Sequence, residues 1–147
     1  MIMQNKMYTG SPEELLEYRK LEITFWEGNK SLYRTSFSKE EMVNWSNYIC
    51  KFVRLSPVKI VVDNEPHLAD ILNIKDYPNQ RVAAYWLNGC IHIPEGSSSR
   101  IFCHELSHHL QICGGFGNGH GPGFIEAESL LFEVILENKE YLTHLLR

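Results

Sequence analysis

The spacing of apolar and polar residues predicts two helices in the first third of the chain. Ser11 as a cap and Pro12 in the first turn begin a helix that is expected to extend to about Glu27. A second helix is expected after residues 38–41, which have the spacing of a capping box. Its apolar residues recur at helical spacing and are expected to face the core: Met42, Trp45, Ile49 and Phe52.

The next segments are predicted to be extended or irregular. Residues 58–62 are β-branched apart from one lysine and predict a short strand. Residues 64–80 are expected to be loop, with one short helix near residues 68–72. The spacing of apolar and polar residues is least regular in this segment.

A β-hairpin is predicted around Asn88 and Gly89. This pair is favoured in a two-residue turn of type I′, and residues 81–87 and 90–94 on either side have the composition of strands. If one of these strands lies at the edge of its sheet, an extended peptide could pair with it through main-chain hydrogen bonds.

The helical pattern returns after the hairpin. Residues 97–99 are all serine and offer caps for a helix expected over residues 98–112. The glycine-rich residues 114–123 should end this helix and turn the chain back. Residues 124–138 predict another apolar helix, followed by a short C-terminal one. The core positions of the first of these helices are expected to be Ile101, Leu106, Leu110 and Ile112.

Together these elements predict an α+β fold in a single domain of residues 1–147. A small sheet with a β-hairpin is expected to pack on helices. With 44% hydrophobic and 22% charged residues, the composition is ordinary for a globular protein that can bury a core. The four cysteines include no C-x-x-C pair, and we expect them to be reduced and buried: Cys50, Cys90, Cys103 and Cys113.

Charge and hydropathy disfavour several kinds of partner. The formal net charge is −4 and no dense block of lysine and arginine occurs, so direct binding to nucleic acid is not expected. No run approaches the roughly 18 apolar residues that cross a bilayer, and no export signal precedes the first helix. We therefore expect a cytoplasmic protein without a membrane anchor.

The motif that carries the chemistry is His104-Glu105-Leu106-Ser107-His108. On a helix, His104 and His108 lie one turn apart on the same face. Two imidazoles in that arrangement can hold one zinc ion, while Glu105 can reach a water molecule on the metal.

A catalytic zinc site needs a third protein ligand, and the sequence offers two main candidates. His120 lies twelve residues after His108, and the glycines around it would allow the chain to return to the metal. We favour His120 because imidazole suits zinc. Glu128, on the following helix, is the alternative, and Glu126 is a weaker version of it.

The segment from His104 through His120-Gly121 to Phe124 resembles the SprT-like zinc metallopeptidases and related minimal zincins. The resemblance covers about residues 81–130 and implies a minimal zincin-like fold. It implies one Zn²⁺ per chain on His104, His108 and His120, with Glu105 as general base and Phe124 as a packing residue. The chain differs from metzincins, because Gln111 and Gly114 stand where those proteins have glycine and histidine.

The expected activity is hydrolysis of peptide bonds in a peptide or protein substrate, with regulation by an unknown partner protein possible. Glu105 would assist attack by zinc-bound water and then protonate the leaving amine. The alternative is a catalytically inactive zincin-fold protein that binds metal or a partner. Four residues are candidates to stabilise the oxyanion: Tyr85, His92, His109 and Tyr141.

Overall fold

In a computed structural model, residues 11–67 and 82–146 are described. This part of the chain has an α+β architecture of five α-helices, one short 3₁₀ turn and a three-stranded mixed sheet. The predicted short helix near residues 68–72 lies outside the described residues. None of the described helices is long and apolar enough to cross a membrane.

The two N-terminal helices begin as their caps predict. Helix α1 spans Pro12–Gly28 and helix α2 spans Lys39–Phe52, and each starts with a serine–glutamate capping box. Their buried aromatic residues form much of the core around Trp45, which is fully buried. The prediction for Phe52 is wrong: its side chain is 45% exposed and stacks on Tyr48 at the surface.

The sheet has the order β1-β3-β2. Strand β1 spans Lys59–Val62, β2 spans Tyr85–Leu87 and β3 spans Cys90–Ile93. Strands β1 and β3 are parallel, and β2 and β3 are antiparallel. The central strand β3 is therefore paired on both sides, whereas β2 lies at an edge of the described sheet.

The hairpin turn between β2 and β3 is confirmed. Asn88 has a φ of 50° and Gly89 a φ of 80°, the pair of positive values that a type I′ turn requires. The first strand is shorter than predicted, because residues 82–84 are not part of the sheet.

Three helices complete the fold: α3 (Ser99–Cys113), α4 (Pro122–Glu137) and α5 (Lys139–His144). Helix α3 packs on α4 and against the β-hairpin. Leu106 and Leu110 are fully buried, and this fixes which face of α3 points to the core.

The four cysteines are free thiols, but they are not uniformly buried. Cys50 and Cys103 lie in the core, Cys90 is half-buried and Cys113 is exposed. Cys113 is the last residue of α3, where the helix reaches the glycine-rich loop and leaves the interior.

Candidate metal centre

Helix α3 presents the motif histidines on one face. Its first turn is capped by Ser98, whose hydroxyl accepts a hydrogen bond from the backbone N–H of Ile101 at 3.2 Å. With the apolar side of the helix packed into the core, His104 and His108 lie next to each other, with ring centroids 5.1 Å apart.

The glycine-rich loop returns the chain to this face. It is fastened to α3 by Gln111, whose amide nitrogen donates to the carbonyl oxygen of Gly119 at 3.1 Å. Gly119 has a φ of +81°, a conformation that suits glycine, and directly precedes His120. His120 is buried, with 5% of its surface exposed. The structure thus brings His120 to the two motif histidines.

The imidazoles meet at their Nε2 atoms. Nε2 of His120 lies 3.1 Å from Nε2 of His104 and 3.2 Å from Nε2 of His108. In a tetrahedral zinc site, Zn–N bonds of about 2.0–2.1 Å place two ligand nitrogens roughly 3.3–3.4 Å apart. The two distances from His120 are therefore close to the spacing that one metal ion imposes. All three ligand nitrogens lie within 4.8 Å of one another, and this histidine cluster could hold a metal ion.

Hydrogen bonds on the far side of two rings set their tautomers. The Nδ1–H of His104 donates to Oε2 of Glu22 at 2.6 Å. The Nδ1–H of His108 donates to Oε1 of Gln111 at 3.0 Å. Because a neutral imidazole carries one proton, both Nε2 atoms are left with a lone pair. A cation bound between the three rings would be ligated by both of these lone pairs.

Burial and nearby charges shift the pKa values of the two motif histidines in opposite directions. Burial lowers the pKa of His108 well below its usual value, and the neighbouring His104 and His120 add to the effect. Burial also opposes the charged form of His104, but the hydrogen bond that this ring donates to Glu22, together with the negative charges of Glu105 and Glu22, outweighs burial and raises the pKa of His104. His108 is consequently neutral and ready to bind a metal, whereas Glu22 supplies negative charge behind His104.

Glu105 lies beside the cluster with one oxygen unsatisfied. It is 5% exposed, and its Oε1 atom has no hydrogen-bond partner among the described residues. Burial raises the pKa of Glu105 to about 7, although His104 and the backbone N–H of Trp86 act in the opposite direction. A carboxyl group with that pKa can both accept and donate a proton near neutral pH.

Glu128 does not join the three histidines. Among the described residues it groups instead with Glu22 and His104, with atoms that lie within 4.8 Å of one another. Burial and the adjacent Glu22 carboxylate raise the pKa of Glu128 well above its usual value. The surroundings of Glu128 thus favour its neutral form beside Glu22, while the weaker candidate Glu126 is exposed.

Aromatic rings pack around the imidazoles on two sides. Phe124 is fully buried, and its ring centroid lies 4.6–5.0 Å from those of the three histidines. Tyr18 from α1 stacks on His120 with centroids 4.9 Å apart. These rings hold the imidazoles in place and limit the access of water to them.

A cleft of about 560 Å³ opens onto the cluster. It is bordered by α1, by the residues before β2 and by the first turns of α3. His104, Glu105 and His120 lie in its wall, and the other lining residues are Tyr18, Arg19, Glu22, Tyr33, Val82, Ala83, Ala84, Ser98, Arg100 and Ile101.

The four predicted oxyanion candidates do not line this cleft. Tyr85 and His92 stack on each other across the hairpin, with ring centroids 4.4 Å apart. Tyr141 is half exposed and packs against Tyr48, with ring centroids 4.6 Å apart and the ring planes tilted by 35°. His109 is buried between α3 and the sheet: its Nδ1 accepts from Nε1–H of Trp86 at 2.9 Å, and its Nε2–H donates to the carbonyl oxygen of Ser56 at 2.8 Å.

Two residues of α1 that the sequence analysis did not select belong to the site. Glu22 is 3% exposed and Tyr18 lies one turn before it on the same helix. The available signal was a glutamate whose neighbours at helical spacing are aromatic: Tyr18 four residues before it, and Phe25 and Trp26 three and four residues after it. A charged residue at such a position is rarely buried without a partner.

Comparisons with protein-family models, with curated proteins and with solved structures find no match to this chain.

Proposed function

We propose that this protein is a zinc-dependent metallopeptidase with a minimal zincin-like fold, similar to the SprT-like enzymes. One observation carries the proposal. Nε2 of His120 lies 3.1 Å from Nε2 of His104 and 3.2 Å from Nε2 of His108, and the buried Glu105 beside them has an unsatisfied oxygen. That combination of three imidazoles and a free carboxylate is the donor set of a catalytic rather than a closed structural zinc site.

The three histidines would hold one Zn²⁺ per chain. When bound, zinc polarises a carbonyl group and makes water more acidic. Glu22 and Gln111 keep His104 and His108 in the tautomer that binds a metal. Phe124 and Tyr18 hold the rings and exclude bulk water from one side of the cluster.

Glu105 is the general base and then the general acid of the proposed reaction. It accepts a proton from water as the water oxygen forms a bond to the carbonyl carbon. It then gives this proton to the amide nitrogen as the C–N bond breaks, so that an amine and a carboxylic acid leave. The backbone N–H of Trp86 orients its carboxyl group for both transfers.

Strand β2 supports the proposed binding of an extended peptide. It lies at an edge of the described sheet, and the residues just before it, 82–84, line the cleft. A peptide paired with this edge would pass the histidine cluster. Strand β3 cannot serve in this way because both of its sides are already paired.

The test compares the wild type with Glu105→Gln on a library of peptides read by mass spectrometry. Both proteins are expected to bind one zinc per chain, because Glu105 is not a ligand. Turnover by the variant should fall by about 10²–10⁴-fold, the usual contribution of a general base. Glu126→Gln, an exposed substitution of the same kind, is the control and should leave turnover unchanged.

Two outcomes would contradict the proposal. Equal cleavage by the wild type and Glu105→Gln would mean that the base is misassigned. If the wild type binds zinc but cleaves no peptide of the library, the chain is instead an inactive metal-binding protein of similar fold.

A further inference from the structure

Arg100 has an unusual position relative to the metal centre. It lies in the first turn of α3, four residues before His104, so both side chains are on the same face of the helix. Its Nε–H donates to Oε1 of Glu22 at 3.0 Å, and Glu22 is the residue whose other oxygen holds His104. Arg100 is thereby fixed in place by a buried carboxylate.

The rest of the guanidinium group has no assigned partner. Only Nε is engaged, and the two terminal nitrogens of Arg100 make no hydrogen bond within the described part of the chain. The side chain is 37% exposed, compared with 4% for that of Glu22. A guanidinium that is anchored at one edge and open at the other presents its remaining N–H groups in a fixed direction.

A second depression adjoins the metal cleft at Arg100. Its volume is about 470 Å³, and it shares Arg100 and Tyr33 with the cleft. Apolar surface from Ile23 and Trp26 forms part of its wall. Ile23 is 43% exposed, a high value for a residue of this type on a helix. Arg100 therefore lies where the metal cleft meets a largely apolar hollow.

The other arginine in the cleft differs from Arg100. The guanidinium of Arg19 lies over the ring of Tyr18, 5.9 Å from its centroid, and the residue is exposed. Within residues 11–67 and 82–146, no buried carboxylate forms an ion pair with Arg19. Arg100 is the cation whose geometry is set before a ligand arrives, and such preorganisation lowers the entropic cost of binding.

We propose that Arg100 binds a carboxylate group of the substrate, which makes this protein selective for peptides with an anionic group close to the scissile bond. The reference to a scissile bond rests on the proposed function, whereas the binding of a carboxylate by Arg100 does not depend on it. A planar fork of N–H donors matches a carboxylate in two hydrogen bonds, which a neutral carbonyl group cannot accept equally well. The group could come from an aspartate or glutamate side chain or from the C-terminus of the peptide.

The test is a binding experiment that does not need turnover. Zinc-loaded Glu105→Gln is immobilised and exposed to a library of hexapeptides, each made as a C-terminal acid and as a C-terminal amide. Retained peptides are identified by mass spectrometry. We expect carboxylate-bearing peptides to be enriched at least tenfold, in line with a charge-assisted hydrogen bond. Enrichment of acidic side chains or of C-terminal acids tells the two sources apart.

Variants of Arg100 assign the enrichment to this residue. Adding Arg100→Gln should abolish it, whereas Arg100→Lys keeps the pairing with Glu22 but loses the fork and should retain only part of it. Lys20→Gln removes the same charge from the exposed side of α1 and should leave the enrichment intact. The zinc content of each variant is measured first, so that a lost metal is not mistaken for a lost ligand site.

The inference is wrong if retained peptides show no enrichment in carboxylates, or if the enrichment survives Arg100→Gln. Cleavage of the same library by the wild type tests the proposed function separately. Binding that depends on Arg100 without any cleavage would overturn the peptidase proposal and leave the carboxylate site standing.

Discussion

At the scale of single residues, the arrangement of the histidine cluster depends on hydrogen bonds behind the imidazoles. Glu22 and Gln111 each accept an Nδ1–H, and this leaves the Nε2 lone pairs of His104 and His108 pointing into the same space. Gln111 also holds the carbonyl of Gly119, so one amide side chain fastens both a motif histidine and the loop that carries His120.

Glu22→Gln is expected to weaken zinc binding by about 10–100-fold, the usual cost of losing the charged partner of a metal-bound histidine. The amide has one accepting oxygen where the carboxylate has two, so it cannot accept from both His104 and Arg100, and the negative charge is lost as well. Competition with a chromophoric chelator measures the affinity.

Glu17→Gln is the matched control, because it makes the same change on an exposed position of the same helix. Its zinc affinity should equal that of the wild type. If Glu22→Gln binds zinc as tightly as this control, the carboxylate does not act on the metal through His104.

Residue by residue, the sequence predicted what depends on local spacing and missed what depends on distant contacts. The spacing of His104 and His108 follows from the helical repeat, and the glycines beside His120 indicated a return of the chain. The partnership of Glu22 with His104 joins residues 82 positions apart, and no local pattern encodes it. The oxyanion candidates failed for the same reason: chemical type alone did not place Tyr85 or Tyr141 in the cleft.

At the scale of elements, the glycine-rich loop is held by close packing as well as by hydrogen bonds. A Cβ atom added to Gly123 would lie 2.0 Å from the carbonyl oxygen of Phe116, closer than any side chain can approach. The loop backbone at Phe116 therefore approaches the first turn of α4 at a distance that only glycine allows.

Gly123→Ala is expected to lower the free energy of unfolding by about 1–3 kcal/mol, because the loop must move to admit a methyl group. Since His120 belongs to this loop, zinc affinity should fall as well. Urea unfolding and chelator competition measure the two effects.

Gly28→Ala supplies the comparison for that variant. It lies at the end of α1 with no atom within 4 Å of the added Cβ. Stability should stay the same or rise by up to about 1 kcal/mol, because alanine favours a helix. If the two variants behave alike, the close approach at Gly123 is not what shapes the loop.

Elements with strong local signals agreed with the sequence prediction. The capping boxes at Ser11 and Ser38 and the turn at Asn88 and Gly89 appear where the pattern indicated. Strand β2 was predicted too long, because the edge of a sheet ends where its partner ends, and composition does not reveal the partner. Phe52 is likewise exposed because α2 extends beyond the core at its C-terminal end.

At the scale of the whole molecule, α1, α3 and α4 meet around a pair of buried carboxyl groups, Glu22 and Glu128. Burial is the largest influence on Glu22 and raises its pKa, but hydrogen bonds, first of all that with His104, lower it overall. Burial raises the pKa of Glu128 well above the ordinary value of 4.5. The surroundings thus favour the ionised form of Glu22 and the neutral form of Glu128.

The protonated carboxyl group makes stability depend on pH. Below about pH 4.5 Glu128 is protonated in both the folded and the unfolded chain, and its burial carries no proton-linked cost. As the pH rises from there towards the folded pKa, only the unfolded chain can ionise, so the free energy of unfolding falls.

Glu128→Gln should therefore stabilise the metal-free protein at pH 7.5, by about 1–3 kcal/mol, and by less at pH 5. Urea unfolding at the two pH values measures the difference. Glu133→Gln, on an exposed position of α4, should change stability little at either pH. A destabilised Glu128→Gln, or an equal gain at both pH values, would mean that Glu128 is ionised in the folded protein.

The two adjacent histidines His108 and His109 leave α3 in different directions, and this has a consequence for how the helix is aimed. His109 is bracketed by the indole of Trp86 and the carbonyl of Ser56. Any roll of the helix about its long axis would break both links at once. His109, which lies outside the cluster, thus fixes the rotation of α3 about its axis. It thereby fixes the direction of the Nε2 lone pair of His108.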